Sequence, residues 1–302
     1  MWGSRTDIKV CLSVRSISLQ TYMERKYRYE MIKVQINDFD LEKISKSGQC
    51  FRMNPIMEQE KKYALIAHGE YLEMEETMDG ICFSCTQEEW DKLWKNYFDC
   101  GRDYRKIYRS VDKTDEYMLR AVSCGSGIRI LRQEIFETII SFIISQQNNI
   151  PRIKKCVQSL CSSFGEEKYN IRREKYYAFP TPERLAGLTL EDLQGCNLGY
   201  RSRYILKSSR MIVEGEIDFA GLADMTYEEA RAELMKLCGV GIKVAECICL
   251  FALHHVEAFP VDTHIKTVLL KYYPAGFPFE KYEGYAGILQ QYAFYYDIYG
   301  EM

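Results

Sequence analysis

Residues 227–267 read YEEARAELMKLCGVGIKVAECICLFALHHVEAFPVDTHIKT. Thr226, just ahead of this stretch, forms a capping box with Glu229, so a helix should begin at Tyr227. Its apolar spacing is Ala230, Leu234 and Leu237, and Gly239 stops it. Gly241 then lets the chain reverse into a second helix, with Val244, Ala245, Ile248 and Phe251 on one side. The spacing predicts a helix-hairpin-helix.

Amides near Gly239, Val240 and Gly241 lack intrahelical partners in such a hairpin, and the following helix dipole adds positive potential, which suits a phosphate. A tight turn between two packed helices has the same glycines, so this feature decides nothing alone. Lys243 adds chemistry. It falls in the first turn of the second helix, where the dipole opposes a positive charge, and a neutral amine there is a nucleophile. Cys247, four residues on, shares its face. Asp262 follows Pro260 and can cap the next helix. Singly, Lys243 is a surface lysine and Asp262 an ordinary cap; together behind this hairpin they make a nucleophile and a carboxylate.

Around this unit, 302 residues suffice for about two domains. No apolar run is long enough to span a bilayer, and no charged n-region is followed by an uninterrupted apolar h-region, so the protein reads as soluble and intracellular, cytoplasmic or nucleoid-associated in a bacterium. The twelve cysteines are scattered through apolar stretches and read as free thiols. Cys82 and Cys85 in CFSC lack a second pair, so no metal site is expected there. The net charge is -3, but residues 151–213 carry twelve Lys and Arg against six Asp and Glu. That window is either a DNA footprint or a solvated helical face.

Residues 1–30 show no period and read as a disordered or non-native extension from an upstream start codon. From Met31 the pattern is strand-like, and YALIAH, EYLEME and GICFSCT, separated by turn signals, predict an antiparallel sheet. Thr86 and Glu89 form another capping box, opening a helix with Trp90, Leu93, Trp94 and Tyr97 inward. The expected class is α+β: a mixed domain over 31–114, then an all-helical domain over 115–302. In the latter, QEIFETIISFIIS at 133–145 should be a central buried helix. Further helices should start at Pro151, at Pro182 and near LGYRSRY. Gln146, Gln147, Asn148 and Asn149, at the end of the buried helix, must cap backbone groups or meet a polar ligand. Arg152 one turn later, and Tyr200, Arg201 and Arg203 at another junction, are suited to base edges and stacking.

LCGVGIKVAECICL followed by FPVDTHI resembles the signature of the helix-hairpin-helix DNA glycosylases, in the lysine-bearing branch that repairs 8-oxoguanine. The resemblance covers roughly residues 31–300. It implies a TBP-like sheet domain before the helical glycosylase domain, duplex DNA with oxidised guanine as partner, and a monomer. It further implies that Lys243 attacks the sugar and Asp262 assists, with strand nicking by β-elimination. SGQCFR places the acceptor for N7–H of the oxidised base on Gly48. NNIPRI and GYRSRY place the readers of the orphaned cytosine on Arg152 and Arg201 and the wedge on Tyr200. YAGILQQYAFYY places Gln290 on the Watson–Crick edge and Phe294 on the base face opposite Cys247. His264 also fits the pattern. The gap-filling amide falls on Gln147, with Asn148 as the alternative, and Cys238 stands where family members usually carry proline.

No cysteine follows Cys249, which disfavours the iron-sulfur endonuclease III type; no cofactor is expected. A cation held by hairpin carbonyls and a DNA phosphate is compatible with the pattern. The alternatives are a lysine glycosylase for another oxidised base and a non-catalytic hairpin module that only holds DNA. The latter has no need of Lys243 with Asp262.

Overall fold

The computed structural model describes residues 31–300 apart from positions 58 and 171. The expectation for residues 1–30 lies outside this range. In the N-terminal part, β1 (Ile32–Val34), β2 (Met53–Pro55), β3 (Lys62–Ala67), β4 (Glu70–Thr77) and β5 (Gly80–Phe83) form one antiparallel sheet in the order β1-β5-β4-β3-β2. Alternation explains its sidedness: Tyr63, Leu65 and Ala67 of β3 are buried, as are Leu72 and Met74 of β4. The β3–β4 turn is His68-Gly69, both at positive φ, which matches the twist of the two strands.

A helix not anticipated from the pattern, α1 (Leu41–Lys46), interrupts the strand-like run after β1. Its signal is Asp40, whose Oδ1 accepts from Lys43 N–H at 2.9 Å. The Thr86/Glu89 capping box is present and opens α2, built from Gln87–Glu89, a π turn over Trp90–Trp94, and Lys95–Tyr97. Trp90, Trp94, Tyr97 and Phe98 pack with Leu41, Ile44, Leu65, Leu72, Met74 and Phe83 in the core of this part.

Next come α3 (Tyr104–Ser110), α4 (Glu116–Gly125), α5 (Ile135–Ser145), α6 (Ile150–Phe164), α7 (Pro182–Ala186), α8 (Arg201–Val213), α9 (Tyr227–Leu234), α10 (Ile242–Phe251), α11 (Thr263–Tyr272) and α12 (Ala286–Tyr299). Helix α5 is buried nearly all round and packs against α6, α8 and α10, as its apolar sequence requires. The predicted α+β class holds, but strands do not cease after the sheet. β6 (Glu167–Tyr169) and β7 (Lys175–Tyr177) pair as a small hairpin. It docks on the sheet through Lys168 Nζ, 2.9 Å from the Gly69 carbonyl, and through an Arg172–Glu73 ion pair. These anchors lie about a hundred residues away in sequence, so local periodicity carries no trace of them.

The helix-hairpin-helix is α9 and α10, with two corrections. Helix α9 ends at Leu234, short of Leu237; Leu237 stays buried within the connecting turn. Gly239 is left-handed at φ +82°, and a Cβ there would lie 2.6 Å from the Tyr204 ring, so both conformation and space demand glycine. Gly241, by contrast, is extended and is the N-cap of α10, so the reversal does not depend on it. A Cβ at Gly241 would meet no protein atom.

Candidate active site and nucleic-acid interface

Lys243 is half-buried in the first turn of α10, and its Nζ sits 5.2 Å from the centre of the Phe142 ring, which α5 presents. That contact keeps the ammonium stem over an apolar floor. One turn along, Cys247 is 3 % exposed. Burial pushes its thiol up to about 11; Lys243 pulls it down and Asp262 pushes it up. The thiol therefore stays protonated near neutral pH and feels both predicted catalytic groups. Asp262 is the N-cap of α11: Oδ1 accepts from Ile265 N–H at 2.9 Å. This is the capping geometry expected from its sequence, and it engages one carboxylate oxygen.

Around these groups the other predicted pocket residues converge. Gly48 adopts φ +76°, and a Cβ there would lie 3.1 Å from Phe294 Cε1 and 3.7 Å from Ile150 Cδ1. Its loop is locked by Gln49, whose amide nitrogen donates to Arg129 O at 2.8 Å while its oxygen accepts from Leu131 N–H at 2.8 Å. Gln291 Nε2 donates to the Ser47 carbonyl at 2.9 Å. Gln290, 4 % exposed, donates from Nε2 to the Pro260 carbonyl at 2.9 Å, and its Oε1 is buried without a partner. An orphaned buried acceptor costs stability unless something binds it, as a base edge would. The Phe294 ring meets the His264 ring edge-on at 5.5 Å, and His264 Nδ1 lies 2.7 Å from Asp297 Oδ2.

Phe142, Ile150 and Asp297 belong to this neighbourhood and were not anticipated. Asp297 follows Phe294 by three residues, the spacing that puts two side chains on one helical face, so it was within reach of pattern reasoning. Phe142 was not, because its neighbours in α5 are equally apolar.

A second cluster lies at the α5–α6 and α8 junctions. Gln147 is exposed and left-handed at φ +47°, and Tyr200 Oη lies 3.5 Å from its Oε1. Asn148 Nδ2 donates to the Ile144 carbonyl at 3.1 Å while its Oδ1 accepts from Asn149 N–H at 3.0 Å. Asn149 caps α6 through Arg152 N–H at 3.0 Å. Both asparagines are thus engaged with backbone, and Gln147 is the amide left facing outward. Gln146 Nε2 donates to the Gly239 carbonyl at 2.9 Å and so ties this cluster to the hairpin.

The two arginines differ. Arg152 is exposed, whereas Arg201 is 4 % exposed. Arg201 donates to the carbonyls of Gln146, Gln147 and Leu198 and stacks 4.7 Å from the centre of the half-exposed Tyr200 ring. Several cations of the basic window are engaged: Lys154 with Met53 O and Asn54, Lys175 with Glu167, and Arg210 with Ala186 O and Leu188 O. Arg152, Lys155, Arg203 and Lys207 are exposed on α6 and α8 and make no ion pair among the described residues. The amides opening α10 beside Gly241 lack helical acceptors by geometry. The surfaces of α6, α8 and the hairpin thus offer anion-binding amides, cations outside ion pairs among the described residues, and the exposed ring of Tyr200.

Among the described residues no group of side chains forms a metal site, and no helix is long and apolar enough to cross a membrane.

Residues 31–139 match the 8-oxoguanine DNA glycosylase N-terminal domain, and residues 140–277 match the HhH-GPD superfamily of base excision DNA repair proteins. The chain is 30% identical to the N-glycosylase/DNA lyase of Saccharomyces cerevisiae over 82% of this chain and 72% of that one. The Clostridium acetobutylicum 8-oxoguanine glycosylase/lyase in its apo form superposes with a TM-score of 0.82 at 35% identity, over 88% of this chain and 95% of that one. The same Clostridium enzyme in complex with double-stranded DNA containing cytosine opposite 8-oxoguanine gives a TM-score of 0.83 at 32% identity, over 90% and 98%.

Proposed function

Because the chain belongs to the 8-oxoguanine DNA glycosylase/lyase family of the HhH-GPD superfamily, we propose that it extrudes an oxidised guanine from duplex DNA and excises it through Lys243. Base excision with strand nicking comes with the family. The roles of individual residues are our reading of the site.

Extrusion comes first, since the sugar carbon of a stacked nucleotide is closed to a side chain. Tyr200 serves as wedge and Gln147 occupies the gap, while Arg152 and Arg201 face the orphaned cytosine. The oxidised base enters the slot between Phe294 and Cys247. There the Gly48 carbonyl accepts N7–H, and the unpartnered Gln290 Oε1 accepts from the Watson–Crick edge. The hairpin holds a phosphate on the amides at Gly241 and the opening of α10; Val240 N–H, expected from the sequence to share this task, is instead donated to the Leu237 carbonyl at 3.1 Å.

Lys243 attacks C1′ as the neutral amine; the N9–C1′ bond breaks and its electrons leave with the base. Asp262 stabilises the positive charge that develops on the sugar, through the oxygen not engaged as the helix cap. One proton then passes from the Lys243 nitrogen to O4′ as the C1′–O4′ bond breaks, which opens the ring and leaves an iminium between Lys243 and C1′. This acidifies C2′–H, and loss of that proton expels the 3′ phosphate. Metal ions take no part in this scheme, so a cation between hairpin carbonyls and a DNA phosphate would be structural.

The observation that carries this reading is that an amine and a capped carboxylate both act on one buried thiol, while Phe294 packs on Gly48 and touches His264 two residues after that carboxylate. Borohydride trapping of the wild-type chain on a duplex with 8-oxoguanine opposite cytosine tests it. A covalent protein–DNA product is expected; base release without any trapped product would contradict the amine mechanism.

A further inference from the structure

Lys243 and Asp262 sit on different helices, and the chain between α10 and α11 is loop. From Phe259 to Val261 it makes no backbone–backbone hydrogen bond. Side chains hold it instead. On one side Gln290 donates to the Pro260 carbonyl. On the other, Phe259 N–H donates to Glu246 Oε2 at 2.9 Å. Glu246 lies on α10, three residues after Lys243, and is 5 % exposed. Its Oε1 accepts from Tyr227 Oη at 2.5 Å and from Arg231 Nη1 at 3.1 Å. A buried carboxylate with donors on both oxygens is rigid, and each donor would be left unpaired by its movement. It thus fastens three pieces together: α9, the helix bearing the nucleophile, and the loop leading to Asp262.

We infer that Glu246 is a positioning residue for the reaction: by accepting the Phe259 N–H it sets the separation of Lys243 from Asp262. It touches neither substrate nor the reacting atoms. The inference rests on the roles proposed above for those two residues. Small displacements at a reacting centre are costly, and a misplacement of about 1 Å slows chemistry about a hundredfold. Glutamine at this position retains an oxygen that can accept the Phe259 N–H, whereas aspartate withdraws the acceptor by one methylene and alanine removes it.

The test is single-turnover excision by the full chain on the 8-oxoguanine·cytosine duplex. Glu246→Ala, Glu246→Asp and Glu246→Gln are compared in the wild-type and Asp262→Asn backgrounds. In the wild-type background, Glu246→Ala and Glu246→Asp should slow excision by about a hundredfold. Glu246→Gln should recover most of that rate. Against Asp262→Asn the same changes should cost less than about threefold, since a group acting through Asp262 couples to it. The Kd for lesion duplex should move by less than about threefold throughout, which separates lost chemistry from lost structure. Equal slowing in both backgrounds, or Glu246→Gln as slow as Glu246→Asp, would overturn the positioning role. If Asp262→Asn alone excises at the wild-type rate, the assigned role of Asp262 fails and the role of Glu246 falls with it. Should Glu246→Ala not fold, the contrast between aspartate and glutamine decides the matter alone.

Discussion

The Phe294 ring packs so closely on Gly48 that a Cβ there would lie 3.1 Å from Phe294 Cε1, with Gly48 itself at φ +76°. Gly48→Ala therefore meets two penalties, a left-handed backbone costing about 1–3 kcal/mol and a displaced stacking ring. We expect it to slow excision of 8-oxoguanine at least about tenfold while leaving cleavage at a preformed abasic site nearly unchanged, because that substrate has no base to stack. Equal losses on both substrates would place the damage outside the base slot.

Gln147 is left-handed without being glycine. Asparagine tolerates that conformation better than glutamine, so Gln147→Asn should hold or raise the melting temperature, by up to about 1 kcal/mol of stability. Excision should persist, since a shorter amide still faces the gap. Thermal melting and single-turnover assays check this together; a clear fall in melting temperature would show that the longer side chain stabilises the turn through Tyr200.

Arg152 and Arg201 differ in burial, which separates two effects. Cytosine offers acceptors at N3 and O2, whereas adenine presents a donor at N6, so excision opposite cytosine should exceed excision opposite adenine. Arg152→Ala should narrow that gap by about 1–3 kcal/mol with little change in stability. Arg201→Ala should narrow it too and also destabilise the fold, since it strips hydrogen bonds from three carbonyls, that of Leu198 buried. Equal wild-type rates on the two duplexes would mean that these arginines do not read the partner base.

The pH dependence of stability is set partly by Asp99, between the two cores. Burial pushes its carboxyl up, but His254, Arg102 and Tyr104 together outweigh this and hold it at about 2. A carboxyl lowered from its ordinary value contributes stability above pH about 4 and loses it as pH falls toward 2. Here that is roughly 2 kcal/mol. Asp99→Asn should accordingly lower the melting temperature at pH 7, with the deficit shrinking between pH 4 and 2. A deficit that stays constant over that range would remove the charge from the account.

Features carried by adjacent residues were legible in the sequence. The capping boxes at Thr86 and Thr226 and the proline near the start of α6 are local chemistry, and each appears in the structure; Gly239 is left-handed as its type suggests, but α9 already ends at Leu234. The lysine, the capping aspartate and the Gly48, Gln290 and Phe294 set were legible through resemblance, and the fold brings them to one place. Features that depend on distant partners were hidden. The β6–β7 hairpin is held by the sheet, and Arg201 is buried by carbonyls more than fifty residues earlier in the chain. Glu246, three residues after Lys243, carries no local signal that singles it out; only the fold shows Phe259 N–H donating to it.

The central claim is that the Lys243 amine forms the covalent bond to DNA. Borohydride trapping by Lys243→Gln, beside wild type and on the 8-oxoguanine·cytosine duplex, tests it most directly. The variant keeps the hairpin and its amides, so it should bind lesion duplex with a Kd within about threefold of wild type and yield neither base release nor trapped product. Trapping at the wild-type level would contradict the account and move the nucleophile to another amine.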